Sequence, residues 1–312
     1  MGGYSTKAFV QRFQKELSLT PEVVKKFGNF QCEGKVFHIG LITDALIDAS
    51  AAGYVDECRD LIDQNVKFLI EAKDGRSWRY FPGFDPLPHD ADDLGQVAQV
   101  LIRADAWSTE LLDPAFDLAI ANTWEDGATN TWMLEDPQQR DAANKVWGRG
   151  ILDTGKDPEV VANFLYASLL YDRVSNRSKL TSVIDKGVRW LTEQQQGMGF
   201  WRAAWYVGTC YSTYATIRLL SSIGGYDRAV AKALAFLAQA EAPDPLNRSM
   251  AVLAQSVGNG RTTPEDLEVL LSTQNLDGSW PAIPILDNHA RVWGSETVTA
   301  AFCLKALLAA SR

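Results

Sequence analysis

An all-α chain of stacked helix pairs is predicted by three observations in the 312-residue sequence. A helix-then-turn unit ending in tryptophan recurs along the chain. The segments between its copies carry apolar residues at spacings of three and four, and no run of alternating Val, Ile or Thr is long enough to compete as a strand. One helix pair cannot bury its own apolar faces, so stacked pairs build a continuous core. Such a stack closes into an α/α toroid or stays an open solenoid.

Residues 1–34 lack the repeat and read as an N-terminal arm or capping helix, ahead of a paired-helix body over 35–312. Ile42–Ala52 is its first helical pattern. Residues 66–78 then read Val-Lys-Phe-Leu-Ile-Glu-Ala-Lys-Asp-Gly-Arg-Ser-Trp, an amphipathic helix closed by a glycine turn and a tryptophan. Leu94–Ala104 follows, and a weaker copy of the unit lies at Ala119–Trp132, with Asp126-Gly127 as its turn and Trp124 and Trp132 nearby. Asn122–Gly155 is the longest irregular region. Glu159–Tyr171 is helical by spacing, and residues 188–201 close the next unit on Gly-Met-Gly-Phe-Trp. Tyr211–Ser222, Ala229–Ala240 and Ser249–Val257 lead to the copy at 267–280, which ends Gln-Asn-Leu-Asp-Gly-Ser-Trp, and Thr297–Ala310 completes the pattern. No linker rich in Gly, Pro or Ser divides the chain, so one domain is expected.

Composition removes several functions. Apolar residues make up 46% and charged residues 22%, the profile of a globular domain. The net charge of −9, from 30 basic and 39 acidic residues, leaves no basic footprint for nucleic acid and disfavours an anionic membrane surface. No stretch approaches the ~20 apolar residues of a membrane span. The N-terminus lacks a signal core, and Gly2 with Thr6 matches only a short myristoylation pattern that arises by chance. Cys32, Cys58, Cys210 and Cys303 are scattered without disulfide-like or metal-like spacing, which fits a reducing cytoplasm.

Residues 86–97, Pro-Leu-Pro-His-Asp-Ala-Asp-Asp-Leu-Gly-Gln-Val, place Asp90, Asp92 and Asp93 where a helical pattern begins. With Asp90 as N-cap, the helix dipole favours ionised Asp92 and Asp93 by roughly 0.3–1 kcal/mol per charge. Burial and crowding push the other way, by up to ~3–5 pKa units at fully buried sites. If burial wins, one carboxyl stays protonated and serves as an acid; the bland reading is an acidic helix start that only caps. Ten tryptophans supply the aromatic faces that an apolar, cationic intermediate would need.

On these residues the chain resembles the squalene–hopene cyclase and class II terpene cyclase family, whose domains are α/α toroids, from about Thr43 to Ala310. Asp90-Ala91-Asp92-Asp93 fits that family's DxDD acid motif. Gln274-Asn275-Leu276-Asp277-Gly278-Ser279-Trp280 fits its QxxDGxW repeat motif, and Trp201 through Thr213, with Trp205 and Tyr211, resembles its aromatic stretch. The resemblance implies a single-domain α/α toroid in which Asp92 is the general acid and Asp90 and Asp93 support it. Asn163 falls where squalene–hopene cyclases carry a histidine paired with the acid, and asparagine is known there in the diphosphate-substrate branch. Phe81 resembles a cation-stabilising phenylalanine. Trp78, Tyr80, Trp132, Trp205, Tyr206 and Tyr211 join it as candidate faces for the cation, each worth about 2 kcal/mol when desolvated.

The expected activity is protonation-initiated cyclisation of a hydrophobic polyprenyl substrate: farnesyl or geranylgeranyl diphosphate, or a prenylated meroterpenoid precursor. Protonation requires no cofactor. A diphosphate head group would call for Arg76, Arg79 and Arg202, and for Mg²⁺. Relatives with several domains form their cavity between toroids; this chain has sequence for one, so the cavity lies within it or is closed by a second copy in a homodimer. Trp280 reads as repeat packing, as do Trp190 and Trp201, while His89 reads as a residue at the solvent edge or packed behind the motif, and not as a catalytic base. A zinc site from Cys210, Asp287 and His289 has the wrong order for the prenyltransferase β-subunits that share the fold, so no metal ligands are assigned. The DDxxD motif of ionising synthases is absent. Two rival functions remain: a non-catalytic toroid that binds a prenyl chain or protein, and an acid/base toroid enzyme acting on carbohydrate.

Overall fold

The computed structural model describes residues 4–5, 31–32, 34–148, 154–240, 242, 244–287 and 292–311. Twelve helices lie within them: α1 Val36–Ala51, α2 Val55–Glu71, α3 Ala91–Arg103, α4 Thr109–Ala121, α5 Arg140–Trp147, α6 Pro158–Ser175, α7 Ser178–Glu193, α8 Cys210–Ile223, α9 Asp227–Gln239, α10 Pro245–Val257, α11 Pro264–Ser272 and α12 Glu296–Ala310. Helices α1, α3, α6, α8, α10 and α12 each pack on the next, and α12 returns to α1, so the ring is closed. Helices α2, α4, α7, α9 and α11 lie against successive ring members from outside. The chain is therefore an α/α toroid, and the choice that helix spacing left open is settled by the α12–α1 seam.

Burial separates the two layers. Helix α3 is buried at every position from Ala91 to Leu101, as a helix with neighbours on all sides must be, whereas α2 buries fully only Cys58 and Leu69. The seam is fastened by charge: Lys305 on α12 pairs with Asp44 and Asp48 on α1, and Arg103 at the end of α3 pairs with the same two carboxylates. Burial alone would raise the Asp44 carboxyl, but Lys305 and Arg103 beside it hold it well below the usual carboxylate range.

The recurrent tryptophans share one hydrogen bond. The indole Nε1 of Trp78 donates to Leu69 O, that of Trp201 to Leu191 O, and that of Trp280 to Leu270 O, at 2.7, 2.7 and 2.8 Å. Each ring satisfies the last turn of the outer helix before it while filling the gap to the next inner helix. In the weaker copy the turn bond runs from Trp124 N to Ala128 O, which puts Thr129 at the tryptophan position. Trp132 is released from the repeat and pairs elsewhere.

Inner helices all begin at one end of the ring, and the loops that lead into them carry the site. There β3 (His89–Asp90) pairs antiparallel with β4 (Trp132–Met133), and β5 (Pro284–Asp287) pairs with β6 (Val292–Gly294). The region expected to be irregular over 122–155 contains α5, an eight-residue helix too short to persist alone. It is held because Trp147 packs with Phe84, Leu87 and Trp132 in a hydrophobic cluster separate from the main core. Of the N-terminal arm, Tyr4–Ser5 and Gln31–Cys32 form a two-stranded antiparallel pair. Apart from these and Gly34, the arm predicted over 1–34 lies outside the described residues, as does His289. Among the described residues no helix is long and apolar enough to cross a membrane.

Candidate active site

Asp90 opens α3 as its N-cap, in extended conformation, and its Oδ1 accepts from Asp92 N at 2.7 Å. The same residue pairs with Trp132 across β3 and β4, so the strand pair fixes both the start of the helix and the tryptophan above it. Asp92 and Asp93 then occupy the first helical turn and diverge. Asp92 keeps 8% exposure; Asp93 keeps 1%, and neither of its carboxyl oxygens has a hydrogen-bond partner among the described residues.

Both oxygens of Asp92 are engaged. Asn163 on α6 donates from Nδ2 to Oδ1 at 2.6 Å, and Tyr206 donates from its hydroxyl to Oδ2 at 2.5 Å. Asn163 Nδ2 also donates to the hydroxyl of Tyr211, at 2.8 Å, and Arg218 donates from Nη2 to Asn163 Oδ1 at 3.1 Å. The rings of Tyr206 and Tyr211 stack, with centroids 3.9 Å apart and planes 17° from parallel. Asn163 reaches Asp92 because α3 and α6 touch closely at Gly95, where a Cβ would lie 2.9 Å from the Asn163 backbone carbon.

A second acidic start stands opposite. Asp157 stands at the N-cap position of α6, and its Oδ2 accepts from Thr131 Oγ1 (2.6 Å) and from Trp205 Nε1 (2.9 Å). Glu159 Oε1 accepts from the backbone of Ala204 and Trp205, at 2.6 and 2.8 Å, while Oε2 has no hydrogen-bond partner among the described residues. Five buried carboxyl groups thus gather at one end of the ring, beneath Trp132 and Trp205, whose rings meet edge to face at 5.5 Å.

The environment sorts these groups. Burial raises the Asp92 carboxyl to about 6, with the hydrogen bonds from Tyr206 and Asn163 opposing it. Burial and then the neighbouring Asp92 charge push Asp90 up to about 8. Asp93 is driven well above the carboxylate range by burial and by the charges of Asp90 and Asp92. Glu159 rises to about 8 through burial and the charge of Asp157. Asp92 is the strongest acid of the DxDD set because only its anion is met by side-chain donors on both oxygens.

The structure gathers some of the sequence-predicted residues and separates others. Asp90, Asp92, Asp93, Asn163, Tyr206 and Tyr211 converge, and Trp132 and Trp205 stand over them. Trp78 does not join: it is fully buried in the repeat bond described above, because it belongs to the same turn unit as Trp201 and Trp280. Tyr80 and Phe81 pack on each other, with ring centroids 4.8 Å apart, and against the cluster around Phe84 and Trp147. Of the arginines expected at a diphosphate, Arg76 pairs with Glu135 at 3.0 Å and Arg79 with Asp74 at 2.7 Å, while Arg202 lies exposed on the surface. Of the two places open to His89, the structure has it buried behind the motif and not at the solvent edge, with its Nε2 2.6 Å from Asp74 O.

A cavity of about 10 Å³ lies beneath Tyr211, between Gln96 and Phe302 and the charged Asp44, Arg218 and Lys305. It is near the ~10–15 Å³ that one buried water needs. Of the aromatic residues expected to line a chamber, Tyr211 alone borders this cavity. Among the described residues no group of three or more His, Cys, Asp or Glu side chains could hold a metal ion, and three of the five clustered carboxyls, Asp92, Asp157 and Glu159, already accept from two donors each.

The sequence matches no family model. No curated protein sequence matches it either. Its fold is similar to that of a variant of the type II terpene cyclase MstE from Scytonema, solved in complex with the substrate geranylgeranyl dihydroxybenzoate: TM-score 0.64 and 15% identity, covering 87% of this chain and 87% of that one. ent-Copalyl diphosphate synthase from Streptomyces platensis matches at TM-score 0.63 and 17% identity, over 93% of this chain and 54% of that one. An α-1,6-mannanase from Salegentibacter matches at TM-score 0.59 and 11% identity, over 98% of each. These likenesses define a shared toroid that carries more than one chemistry, so the site must choose among them.

Sequence reading missed Asp157, Glu159 and Arg218. Asp157-Pro158-Glu159 precedes a helical pattern much as Asp90–Asp93 does, and Glu159 stands one turn before Asn163; that parallel was the available signal. Arg218 offered none, since one arginine in an amphipathic helix reads as a solvated residue.

Proposed function

We propose that this chain is a class II terpene cyclase, with residues 35–312 as one catalytic toroid and Asp92 as its general acid. The observation that supports this most is the state of the Asp92 carboxyl: buried, raised to about 6, with a donor aimed at each oxygen. Protonating an alkene needs the neutral carboxyl, which predominates below about pH 6 here, and an anion that is stabilised at once. Asp92 transfers its proton to the distal double bond of a polyprenyl chain; the π electrons form the new C–H bond and the adjacent carbon becomes cationic. An epoxide oxygen takes the proton in the same way. Tyr206 and Asn163 receive the carboxylate left behind, in a site where such donors act without solvent reorganisation. Asp90 and Asp93, held protonated above Asp92, add no negative charge beside the new anion.

The small cavity beneath Tyr211 admits a water and not a prenyl chain, so the substrate approaches the buried Asp92 from the end of the ring covered by Trp132 and Trp205 and parts that pair. Those rings then face the travelling cation. Farnesyl diphosphate, geranylgeranyl diphosphate and prenylated aromatic acids are the substrate classes to be tried. Arg76 and Arg79 are tied to carboxylates, and Mg²⁺ enters only with a diphosphate head group. Incubating the purified protein with prenyl diphosphates of several lengths and with prenylated aromatics, then analysing phosphatase-treated extracts, tests the proposal. Cyclic products lost in Asp92→Asn, with folding and substrate binding retained, support it. Wild-type protein that binds these compounds and returns them unchanged refutes it.

A further inference from the structure

We propose that Arg218 is a positioning residue for the Asp92 carboxyl, acting through the side-chain amide of Asn163; this rests on the cyclase reading above. An asparagine can present either its oxygen or its NH₂ to a neighbour, and the choice decides what it can do there. Arg218 removes the choice. Its guanidinium only donates, so the Asn163 atom 3.1 Å from Nη2 must be the carbonyl oxygen. The NH₂ is then turned toward Asp92 Oδ1 and the Tyr211 hydroxyl, and both of its hydrogens are used. The reverse flip would set NH₂ against guanidinium and carbonyl oxygen against carboxylate, two repulsive contacts in place of two attractive ones.

Arg218 is itself held in place. It lies about two turns along α8 from Tyr211, with its guanidinium 4.3 Å from the Tyr166 ring centroid on α6 and 5.5 Å from that of Tyr214. The charged groups around it fall on two sides. Toward the seam lie Asp44 on α1, already paired with Lys305 and Arg103, and Lys305 on α12. Toward the mouth, beyond Asn163, lies Asp92 with Asp90, Asp93 and Asp157 around it. Arg218 therefore gives Asp92 both a fixed donor and a nearby positive charge, without touching it.

The test reads Asp92 in the ligand-free, full-length protein. The infrared carboxyl stretch of Asp92, isolated by subtracting the Asp92→Asn spectrum, gives its titration midpoint. Removing a cation and its aligned donor destabilises the anion, so Arg218→Met should raise that midpoint by about one pH unit or more. Arg218→Lys keeps the charge but loses the planar fork and should shift it less. In an Asn163→Leu background Arg218→Met should shift it by clearly less, because only the through-space charge then remains to be lost. An unchanged midpoint in folded Arg218→Met, or a full additional shift in the Asn163→Leu background, overturns the proposal. If circular dichroism shows Arg218→Met unfolded, Arg218→Gln decides in its place: an upward shift that shrinks in the Asn163→Leu background supports the proposal, and no shift overturns it. None of these readouts needs turnover, so a wild-type protein that cyclises nothing would defeat the cyclase reading while leaving the Arg218 result separately legible.

Discussion

Replacing Tyr206 by phenylalanine removes one oxygen from the site and leaves its packing in place. The ring still stacks on Tyr211 at 3.9 Å, so the fold is not challenged. What is lost is the 2.5 Å hydrogen bond to Asp92 Oδ2, one of the two that oppose the effect of burial on this carboxyl. A hydrogen bond to a charged group contributes about 1.5–3 kcal/mol. Each 1.4 kcal/mol is about tenfold in rate, so the maximal rate should fall roughly 10- to 100-fold. The sign in pH follows from the same loss. With less support for the anion, Asp92 titrates above its present value of about 6. The protonated form is the reactive one, so activity declines as pH rises through the carboxyl's midpoint. In Tyr206→Phe that decline moves to higher pH while the acidic plateau drops. Steady-state rates of product formation between pH 5 and 8, for both proteins with the same prenyl substrate, measure both effects. An unchanged plateau with an unchanged limb would falsify the role given to the Tyr206 hydroxyl.

Three further outcomes are expected. Gly95→Ala forces the α3–α6 contact apart, since the added carbon would meet the Asn163 backbone at 2.9 Å; overpacking should cost about 1–3 kcal/mol in a urea melt, and turnover should fall more than stability accounts for. Asp44→Asn leaves the buried Lys305 with Asp48 as its remaining partner, and breaking a buried pair costs about 3–5 kcal/mol; a loss well under 1 kcal/mol would show that the seam does not need its charges. Asp93 is raised in the fold by burial and by the charges of Asp90 and Asp92, so the folded chain binds the proton more tightly than the unfolded one. Its contribution is therefore present below the unfolded value of 3.8 and is lost as pH rises. Asp93→Asn should gain on the wild type by up to about 1.4 kcal/mol per pH unit above that value. Paired melts at pH 4 and pH 8 that show no such gain count against a proton on Asp93.

Local chemistry made much of this legible in the chain. Periodicity and the recurrent glycine turn gave the helix pairs, because an amphipathic face and a C-cap are written within a dozen residues. Asp90 could be read as a cap for the same reason. Ring closure could not, since it depends on Lys305 meeting Asp44 across 261 positions. Trp78 stands beside Tyr80 and Phe81 in sequence and so resembles a site residue, yet it holds the same turn position as Trp201 and Trp280 and makes the same indole bond. Tyr206 was a candidate through its neighbours alone, and its bond to Asp92 spans 114 positions. Glu159 and Arg218 were missed because a buried charge is recognised by what surrounds it, which no single helix reveals.

The most direct test of a proton passing from Asp92 to an alkene is isotopic. With a prenyl substrate the protein cyclises, reaction in D₂O should place one deuterium on the carbon that was the terminal olefin, and Asp92→Asn should form none of that product. A cyclic product free of solvent deuterium, or undiminished turnover by folded Asp92→Asn, would contradict the account.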